Sequence, residues 1–307
     1  MKYTSRLFLS LLMIVSLVIV LLSVFVTIRY SGTPQKEGEI AIESRENELI
    51  VNNSEMRLVF SGDRGYTLTE LNDASGEINF VNQASFYVDA YVTTSYGESN
   101  YYTDKNDNAS SIDVLDCSGG QVIIRTDGRL VSNDGRYLDG VDVTKIYGVL
   151  FHEKTVDVRI IIQFNSTSFT LNWLKTGIIC RDDFSKWAYG DIVRFNNYSY
   201  YVSLQNGDFS GENAYQYLLN KLLWMRTSNP STNLSLTLKI ADPEQFVFKS
   251  YENDTGKFGC WNGAHEGKLF SAIEAFWSIP KEISRGDFAT ADLQLIVDGI
   301  SKDGTGS

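Results

Sequence analysis

The sequence predicts an all-β fold: a large antiparallel β-sandwich with one helix, preceded by a single transmembrane helix. Three observations lead to this fold class: an uncharged apolar run near the N-terminus, many short segments that alternate apolar and polar residues, and one segment with helical spacing. Because the alternating segments follow one another without helices between them, an antiparallel sandwich or barrel is favoured.

The apolar run extends from Leu7 to Ile28 and contains no charged residue. A run of about twenty apolar residues matches the hydrocarbon thickness of a bilayer. A cleaved signal peptide is the alternative, but its apolar region is usually only about 7–15 residues long and ends at a small-x-small cleavage site. The stretch "VFVTIRYSGTP" offers no convincing site of that kind. We therefore expect a retained membrane anchor.

The charges on either side of the run predict its orientation. Lys2 and Arg6 precede it, and the positively charged side of a membrane anchor stays in the cytoplasm. Arg29, on the far side, weakens this bias without reversing it. The expected protein is therefore a single-pass protein of the cell membrane whose C-terminal domain is extracellular.

The rest of the chain reads as one domain between a linker and a short tail. The stretch "SGTPQKEGEIAIESREN" is polar and nearly devoid of large side chains, which is typical of a linker. No second linker, internal repeat or low-complexity tract follows. The predicted divisions are a cytoplasmic N-terminus at 1–6, a transmembrane anchor at 7–28, a linker at 29–47, a β-sandwich domain at 48–299 and a tail at 300–307.

The predicted strands are rich in β-branched and aromatic residues and are separated by turn residues. They are 48–52, 56–60, 66–71, 77–81, 85–94, 121–130, 142–151, 155–164, 168–174, 198–204, 234–241, 245–251, 268–277 and 291–299.

One segment, "NAYQYLLNKLLWMR" at 213–226, has apolar residues at helical spacing. Tyr215, Leu218 and Leu222 would lie on one face of a helix, and Asn213 could cap its N-terminus. The segment predicts a single helix packed on a sheet. A helix that binds a partner protein is the alternative.

Asn-x-Ser/Thr sequons lie beyond the apolar run and are consistent with an extracellular glycoprotein. A chain rich in Asn and Ser also forms such motifs by chance, so both explanations stay open. The candidate glycosylation sites are Asn52, Asn108, Asn165, Asn197, Asn233 and Asn253.

The cysteines Cys117, Cys180 and Cys260 lack the close CxxC spacing of a zinc site. One disulfide with one remaining thiol would allow three pairings, and unpaired core cysteines are the alternative. The spacing does not choose between them.

The net charge of −11 argues against a nucleic-acid partner, because nucleic-acid binding requires a clustered basic face. An acidic domain of this kind stays soluble beside an anionic membrane.

Two stretches resemble a known family. They are "ELIVNNSEMRLVFSGDRGYTLTELNDASGEINFV" at 48–81 and "SIPKEISRGDFATADLQLIVDG" at 278–299. Their succession of strands and glycine-containing turns resembles the first and last strands of galactose mutarotase-like domains. That β-supersandwich occurs in sugar epimerases, polysaccharide lyases and many glycosidases. The resemblance implies a carbohydrate or a cell-surface polymer as partner. The alternative fold is another two-sheet sandwich or a tandem pair of smaller ones.

The loop "GCWNGAHEGKLF" at 259–270 is the predicted sugar-binding site. An aromatic ring stacks on the apolar face of a sugar while neighbouring polar side chains bind its hydroxyl groups. The alternative is a turn-rich loop that its tryptophan anchors to the core. The predicted ligand-binding residues of this loop are Trp261, Asn262, His265, Glu266 and Lys268.

A second aromatic and polar cluster comes from "SNYYTDKNDNAS" and "NNYSYYVSL". Tyrosines at the surface of a sheet are common without any ligand, but these could also line a sugar groove. The tyrosines proposed for this groove are Tyr101, Tyr102, Tyr198 and Tyr200, with Tyr201 beside them.

Catalytic residues are not identified. His152 is predicted to lie in a surface turn. The catalytic histidines and glutamate of the mutarotases are not assigned to any position of this sequence. Asp182 and Asp183 are adjacent, and neighbours on a strand point to opposite faces, which does not suit paired catalytic carboxylates. No cofactor is expected, and these two loop acids would at most hold a structural calcium ion.

The expected function is therefore that of a membrane-anchored extracellular protein that binds or processes carbohydrate. Two alternatives stand beside it. One is a structural or adhesion glycoprotein of the cell envelope that binds other proteins, and the other is a polysaccharide lyase or glycosidase. The sequence does not decide whether the protein is an enzyme.

Overall fold

The computed structural model describes residues 40–166, 169–195, 198–208, 215–217, 223–248, 257–265, 268–277, 279 and 283–299. For 82–85, 191–195, 198–207, 215–217, 257–265 and 268–270 it describes the backbone alone. The predicted anchor Leu7–Ile28 and the tail 300–307 lie outside the described residues.

The described chain is built of β-strands that pair antiparallel. They are β1 (Ala41–Arg45), β2 (Glu48–Asn52), β3 (Met56–Ser61), β4 (Thr67–Asp73), β5 (Val81–Thr94), β6 (Ser99–Thr103), β7 (Ser111–Ser118), β8 (Gln121–Ser132), β9 (Tyr137–Leu150), β10 (Thr155–Phe164), β11 (Phe169–Cys180), β12 (Lys186–Phe195), β13 (Tyr198–Asp208), β14 (Tyr215–Tyr217), β15 (Trp224–Asn229), β16 (Leu234–Phe248), β17 (Lys257–His265), β18 (Lys268–Phe276) and β19 (Asp287–Asp298). Two 3₁₀ turns, η1 (Gly62–Arg64) and η2 (Asp104–Asn106), complete the described elements.

The all-β prediction is confirmed, but the predicted helix at 213–226 is wrong wherever that segment is described. Tyr215–Tyr217 forms β14, and Trp224 begins β15. β15 lies between β12 and β16 in the sheet, so hydrogen bonds to two neighbouring strands override the helical spacing of the leucines. Residues 218–222 lie outside the described part. Within that part, no helix has the length and apolar character needed to cross a membrane.

The strands form two sheets. β1 to β4 make a four-stranded meander in chain order. The larger sheet has fifteen strands in the order β13-β12-β15-β16-β19-β10-β9-β8-β6-β5-β11-β18-β17-β14, with β7 paired to β8 outside this path. The large sheet curls, and β15 contacts β17 and β18 from a distant part of the strand order. One hydrophobic core unites residues of both sheets.

The neighbouring strands β10 and β19 show how the sequence directs this core. Along β10 every second residue from Val156 to Phe164 is buried, whereas Asp157 and Arg159 are exposed. The register places Val158 opposite Leu293 of β19, so the apolar sides of both strands lie on one face. This period-two alternation is the pattern on which the strand predictions rest.

A buried asparagine attaches the small sheet to the large one. The amide nitrogen of Asn53 donates to the carbonyl oxygens of Leu150 and Glu153 at 2.7 and 2.8 Å. Its side-chain oxygen accepts from the backbone N–H groups of Glu55 and Met56. Because all these polar groups are satisfied, the turn after β2 can be buried against the end of β9.

Several boundaries differ from the sequence prediction. β1 lies within the predicted linker 29–47, because Ile40 and Ile42 pack against the core despite their polar surroundings. The predicted strand 77–81 contributes only an isolated bridge at Asn79 before β5 begins. The predicted strands 234–241 and 245–251 join into β16, which runs from 234 to 248.

The described cysteine side chains lie in different environments. Cys180 is buried and in no disulfide, and burial raises the pKa of its thiol to about 12. Cys117 is exposed on β7, and only the backbone of Cys260 is described.

A buried ion pair supports β5 beyond the end of β6. The last pair between these strands is Asp89 with Thr103, and η2 follows. In the part of β5 that precedes Asp89, Asp104 accepts a hydrogen bond from the N–H of Val88 at 2.9 Å, and Lys145 donates to the carbonyl of Phe86 at 2.7 Å. The two side chains also pair with each other at 2.5 Å. They therefore satisfy the backbone groups of β5 that β6 no longer reaches.

Candidate functional site

Charged and aromatic side chains meet on one face of strands β6, β5, β11 and β18, which are consecutive in the large sheet. Residues directly opposite each other in paired strands share a face. Three rows of paired positions bring these side chains together. We call this set of side chains the Glu274 face. It consists of Tyr87, Asp89, Tyr91, Tyr101, Trp173, Lys175 and Glu274.

Glu274 lies at the centre of the buried end of this face. Its side chain is 1% exposed, and its Oε1 accepts hydrogen bonds from the Tyr87 hydroxyl and the Lys175 ammonium, each at 2.6 Å. Its Oε2 is buried and has no hydrogen-bond partner among the described residues. A buried carboxylate needs such partners, since an isolated buried charge is very costly.

Glycines on both sides leave room for this carboxylate. Gly177 of β11 and Gly259 of β17 are the residues paired with Glu274. A Cβ atom at Gly177 would lie 2.9 Å from Glu274 Cγ and 3.1 Å from the Tyr87 hydroxyl. It would also lie 2.8 Å from the carbonyl oxygen of Ile273. The contact between Tyr87 and Glu274 therefore requires glycine between them.

Asp89 lies next to this group and is more accessible than Glu274. Its side chain is 18% exposed, and its Oδ2 lies 4.0 Å from Lys175 Nζ. Its Oδ1 is buried and has no hydrogen-bond partner among the described residues. Burial raises the pKa of Asp89, and the Lys105 and Lys175 ammonium groups and the Thr103 hydroxyl oppose this shift. The carboxylate form of Asp89 is therefore incompletely stabilised by its surroundings.

Tyr87 is held in its neutral, proton-donating form. Burial raises its pKa well above the ordinary value, and the negative charges of Glu274 and Asp89 raise it further. The Tyr87 hydroxyl therefore acts as a hydrogen-bond donor to Glu274.

Three aromatic rings form the more exposed end of the face. The ring centroids of Tyr91 and Tyr101 are 4.6 Å apart, those of Tyr91 and Trp173 are 6.0 Å apart, and the latter two rings are stacked. Tyr101 is 57% exposed. The Lys175 ammonium lies 4.8 Å from the centroid of the Trp173 ring, which joins the aromatic group to the charged one.

This arrangement suits a ligand that is apolar on one side and polar on another. The rings offer a stacking surface, and the adjacent charged groups offer one donor, Lys175, and one partly exposed acceptor, Asp89. The described residues contain no group of three or more His, Cys, Asp and Glu side chains that could hold a metal ion.

The predicted loop 259–270 is a β-hairpin of β17 and β18, in which His265 pairs with Lys268. Trp261 pairs with Ala272, two residues along β18 from Glu274, and Asn262 pairs with Ser271. Lys268 lies six residues from Glu274, roughly 20 Å along an extended strand. The backbone thus brings Trp261 near the Glu274 face but carries His265 and Lys268 away from it. The side chains of these residues, and all of Glu266, lie outside the described part.

The two tyrosines predicted on β6 have opposite environments. Tyr101 pairs with Tyr91 and belongs to the exposed aromatic group, whereas Tyr102 pairs with Ala90 and is only 5% exposed, in the hydrophobic core. Neighbours on a strand point to opposite faces, which explains the difference. Tyr198, Tyr200 and Tyr201 are on β13, where only the backbone is described, so the groove predicted for them is not tested.

The adjacent acids Asp182 and Asp183 lie in the turn after β11. Asp183 accepts hydrogen bonds from Arg181 at 2.5 Å and from Asn229 at 2.9 Å, one on each oxygen, and Asp182 is exposed. Both oxygens of Asp183 are thus engaged by protein donors. Calcium binding by this pair remains a prediction without support from these contacts.

The other predicted positions are on the surface. His152 is exposed in a turn with φ of 62°, as expected, and its Nδ1 is 2.7 Å from the Ser54 hydroxyl. Asn108, Asn165 and Asn233 are exposed, and Asn52 is half-buried. The candidate glycosylation sites Asn197 and Asn253 lie outside the described residues.

The charged residues of the Glu274 face were not predicted from the sequence. Each is the single charge in a largely apolar stretch of its strand: Asp89 in "FYVDAYV", Lys175 in "NWLKTGI" and Glu274 in "SAIEAFW". Charged residues are almost never fully buried unless they are paired. A lone charge in an apolar strand was therefore the available signal for this site.

Comparison by sequence finds no matching family model and no matching curated protein. Comparison of folds finds similar solved structures. A TPR-domain containing protein from Parabacteroides distasonis has a TM-score of 0.53 and 10% identity, with 83% of this chain covered. The match spans about half of that protein, 48% of its length. A galactose mutarotase-like protein from Clostridium acetobutylicum has a TM-score of 0.51 and 8% identity, covering 85% of this chain and 98% of that one.

These matches show the fold. The chain has the fold of galactose mutarotase-like proteins, as the resemblance of its first and last strands implied. At identities this low, a shared fold does not imply a shared activity.

Proposed function

We propose that this protein binds carbohydrate on the Glu274 face. The observation that carries the proposal is an aromatic group beside a charged pair. The exposed ring of Tyr101 and the half-buried rings of Tyr91 and Trp173 adjoin Lys175 and Asp89. Proteins hold sugars in this way, with rings against the C–H faces and polar groups on the hydroxyls. The similarity in fold to a galactose mutarotase-like protein supports a sugar ligand by analogy.

The buried groups give this face a fixed shape. Glu274 is 1% exposed, too buried for direct contact with a ligand, but it holds Lys175 and Tyr87 through hydrogen bonds of 2.6 Å. Because these contacts exist without ligand, little side-chain ordering is required on binding. Glu274 is therefore a positioning residue, and Lys175, Asp89, Trp173 and Tyr101 are the residues proposed to touch the sugar.

We also propose that Leu7–Ile28 anchors the chain in the cell membrane with the domain outside. The support is the apolar run and the lysine and arginine that precede it. Fractionation of cells that express the full chain, followed by protease treatment of intact cells, tests this placement. Recovery of the chain from the soluble fraction, or protection of the domain from protease, would reject it.

The sugar-binding proposal is tested by a glycan-array screen with the full-length protein, followed by titration of the glycans that bind. Trp173→Ala should weaken binding about tenfold, because a stacking surface and its buried area are lost. Phe288→Ala removes an exposed aromatic ring that lies on β19, outside the Glu274 face, and serves as the control.

The outcomes of this test are distinct. Loss of affinity in Trp173→Ala with full affinity in Phe288→Ala supports the site. Equal affinity in both variants places sugar binding elsewhere, and an array without any binding rejects the proposed function. Circular dichroism of each variant verifies that the fold is intact.

A further inference from the structure

The Glu274 face has more hydrogen-bond acceptors than donors. Two buried carboxylate oxygens, Asp89 Oδ1 and Glu274 Oε2, have no hydrogen-bond partner among the described residues. The nearest ammonium group, that of Lys175, bonds Glu274 Oε1 at 2.6 Å and is 4.0 Å from Asp89, beyond hydrogen-bond range. Neither oxygen is exposed to solvent, so a ligand would meet this excess of acceptors at the exposed part of the Asp89 side chain. A ligand that supplies donors suits such a site better than one that supplies further acceptors.

The formal charges near this face are balanced without a ligand. Among the described side chains, the two carboxylates of Asp89 and Glu274 face the two ammonium groups of Lys105 and Lys175. A negatively charged ligand would therefore bring a charge that no described group compensates. Placing an uncompensated charge in a largely buried site is unfavourable.

The accessible carboxylate is that of Asp89. Its side chain is 18% exposed, whereas that of Glu274 is 1% exposed, so a ligand reaches Asp89 first. In the register of the sheet, Asp89 of β5 lies opposite Lys175 of β11, and Tyr91 lies opposite Trp173 in the next row. A sugar stacked on the aromatic group would thus present a substituent to Asp89.

We infer that the Glu274 face binds neutral, hydroxyl-rich sugars and excludes sugars that carry a carboxylate, and that Asp89 makes this distinction. This inference rests on the proposed sugar-binding function. A sugar hydroxyl donates a hydrogen bond to Asp89, and such charge-assisted bonds are stronger than neutral ones. A sugar carboxylate has only acceptors and is repelled by the same group. Burial raises the pKa of Asp89, and the Lys105 and Lys175 ammonium groups and the Thr103 hydroxyl only partly oppose this shift.

Two pairs of oligosaccharides test this inference because their members differ only at C6. Cellohexaose is paired with its C6-carboxylate form, and β-1,4-mannohexaose with the β-1,4-mannuronate hexamer. In one or both pairs, the full-length protein should bind the neutral member about tenfold more tightly than the carboxylate member. This is the effect expected of one charge-assisted hydrogen bond. Affinities are measured by calorimetry at neutral pH.

The variant Asp89→Asn keeps the shape of the side chain but removes its charge. It should bind the carboxylate member more tightly and the neutral member more weakly, so that the affinity ratio falls about tenfold. Asp113→Asn removes an exposed carboxylate on β7 and should leave the ratio unchanged. The ratio distinguishes recognition from a general loss of folding, which would weaken both affinities alike.

A preference of the wild-type protein for the carboxylate members overturns the inference and leaves the proposed sugar binding intact. An unchanged ratio in Asp89→Asn removes Asp89 from the role assigned to it, with the same consequence. Absence of binding to all four oligosaccharides also rejects the inference as stated. Only a silent glycan array rejects the proposed function as well.

Discussion

Lys175 and Glu274 form a partly buried ion pair, with 2.6 Å between Nζ and Oε1, across the adjacent strands β11 and β18. The lysine side chain is 15% exposed and the glutamate 1%. Tyr87 donates to the same oxygen, so a single carboxylate oxygen joins three strands of the large sheet. The pair therefore fixes the shape of the Glu274 face and contributes to the stability of the domain.

We expect Lys175→Met to destabilise the protein by about 3–5 kcal/mol, because the Glu274 carboxylate would be left buried without a counterion. Urea unfolding followed by circular dichroism measures the change. Lys175→Met combined with Glu274→Gln should recover part of the loss, since the double variant buries no unpaired charge. Arg45→Met breaks an exposed ion pair with Glu43 and should have little effect. If Lys175→Met is as stable as the Arg45 variant, the pair has no structural role.

We expect substitution of Gly177 to destabilise the protein. In Gly177→Ala the new Cβ would lie 2.8 Å from the Ile273 carbonyl oxygen and 2.9 Å from Glu274 Cγ, closer than real Cβ contacts. We expect a loss of about 1–3 kcal/mol, typical of overpacking, together with weaker sugar binding. Gly148→Ala is the control, because its Cβ would meet Asp157 Cβ at an ordinary 3.5 Å. Equal stabilities of the two variants would refute the close packing at Gly177.

The strands and the core could be predicted from the sequence because they depend on local alternation. Val156 to Phe164 illustrates this: every second residue is apolar, and the same residues are buried. The helix predicted at 213–226 fails at β14 and β15, because the spacing of its leucines says nothing about the neighbouring strands that bond to Trp224 and Met225.

The candidate site could be predicted only in part, because pairing between distant strands assembles it. Tyr101 was named from its local composition, but Asp89, Lys175 and Glu274 come from three strands that lie far apart in the chain. Their proximity follows from the register of β5, β11 and β18, which no local pattern contains. The composition of the loop around Trp261 predicts a site there, whereas a lone charge in a largely apolar stretch is the more informative feature.

Asp89 should make stability depend on pH. Burial raises its pKa in the folded protein, whereas in the unfolded chain it ionises near the ordinary value of 3.8. Between these two pKa values the folded protein binds more protons than the unfolded chain, so the free energy of unfolding falls as pH rises through this window. Asp89→Asn should abolish this contribution, and Asp113→Asn, at an exposed site, should retain it.

Urea midpoints of the three proteins, measured from pH 3.5 upward, test this dependence. The wild-type curve should fall relative to that of Asp89→Asn as pH rises. Parallel curves would mean that the Asp89 carboxylate is as well stabilised in the fold as in water.

The ion pair of Asp104 and Lys145 should support the Glu274 face from the core side of β5. Asp104 accepts from the N–H of Val88, and Lys145 donates to the carbonyl of Phe86, on either side of Tyr87 in the chain. The pair is almost wholly buried, with the Lys145 side chain 3% exposed and the Asp104 side chain 6% exposed. Burial lowers the pKa of Lys145, and the negative charge of Asp104 opposes that shift.

Lys145→Met should therefore cost about 3–5 kcal/mol, since it leaves the Asp104 carboxyl group buried without its partner. It should also weaken sugar binding, because the backbone on which Tyr87 and Asp89 lie loses a hydrogen bond at Phe86. Lys145→Met combined with Asp104→Asn should restore part of the stability, but binding should stay weak, since the Phe86 carbonyl remains without its donor. A Lys145→Met protein with full sugar affinity and reduced stability would show that this pair stabilises the core without shaping the site.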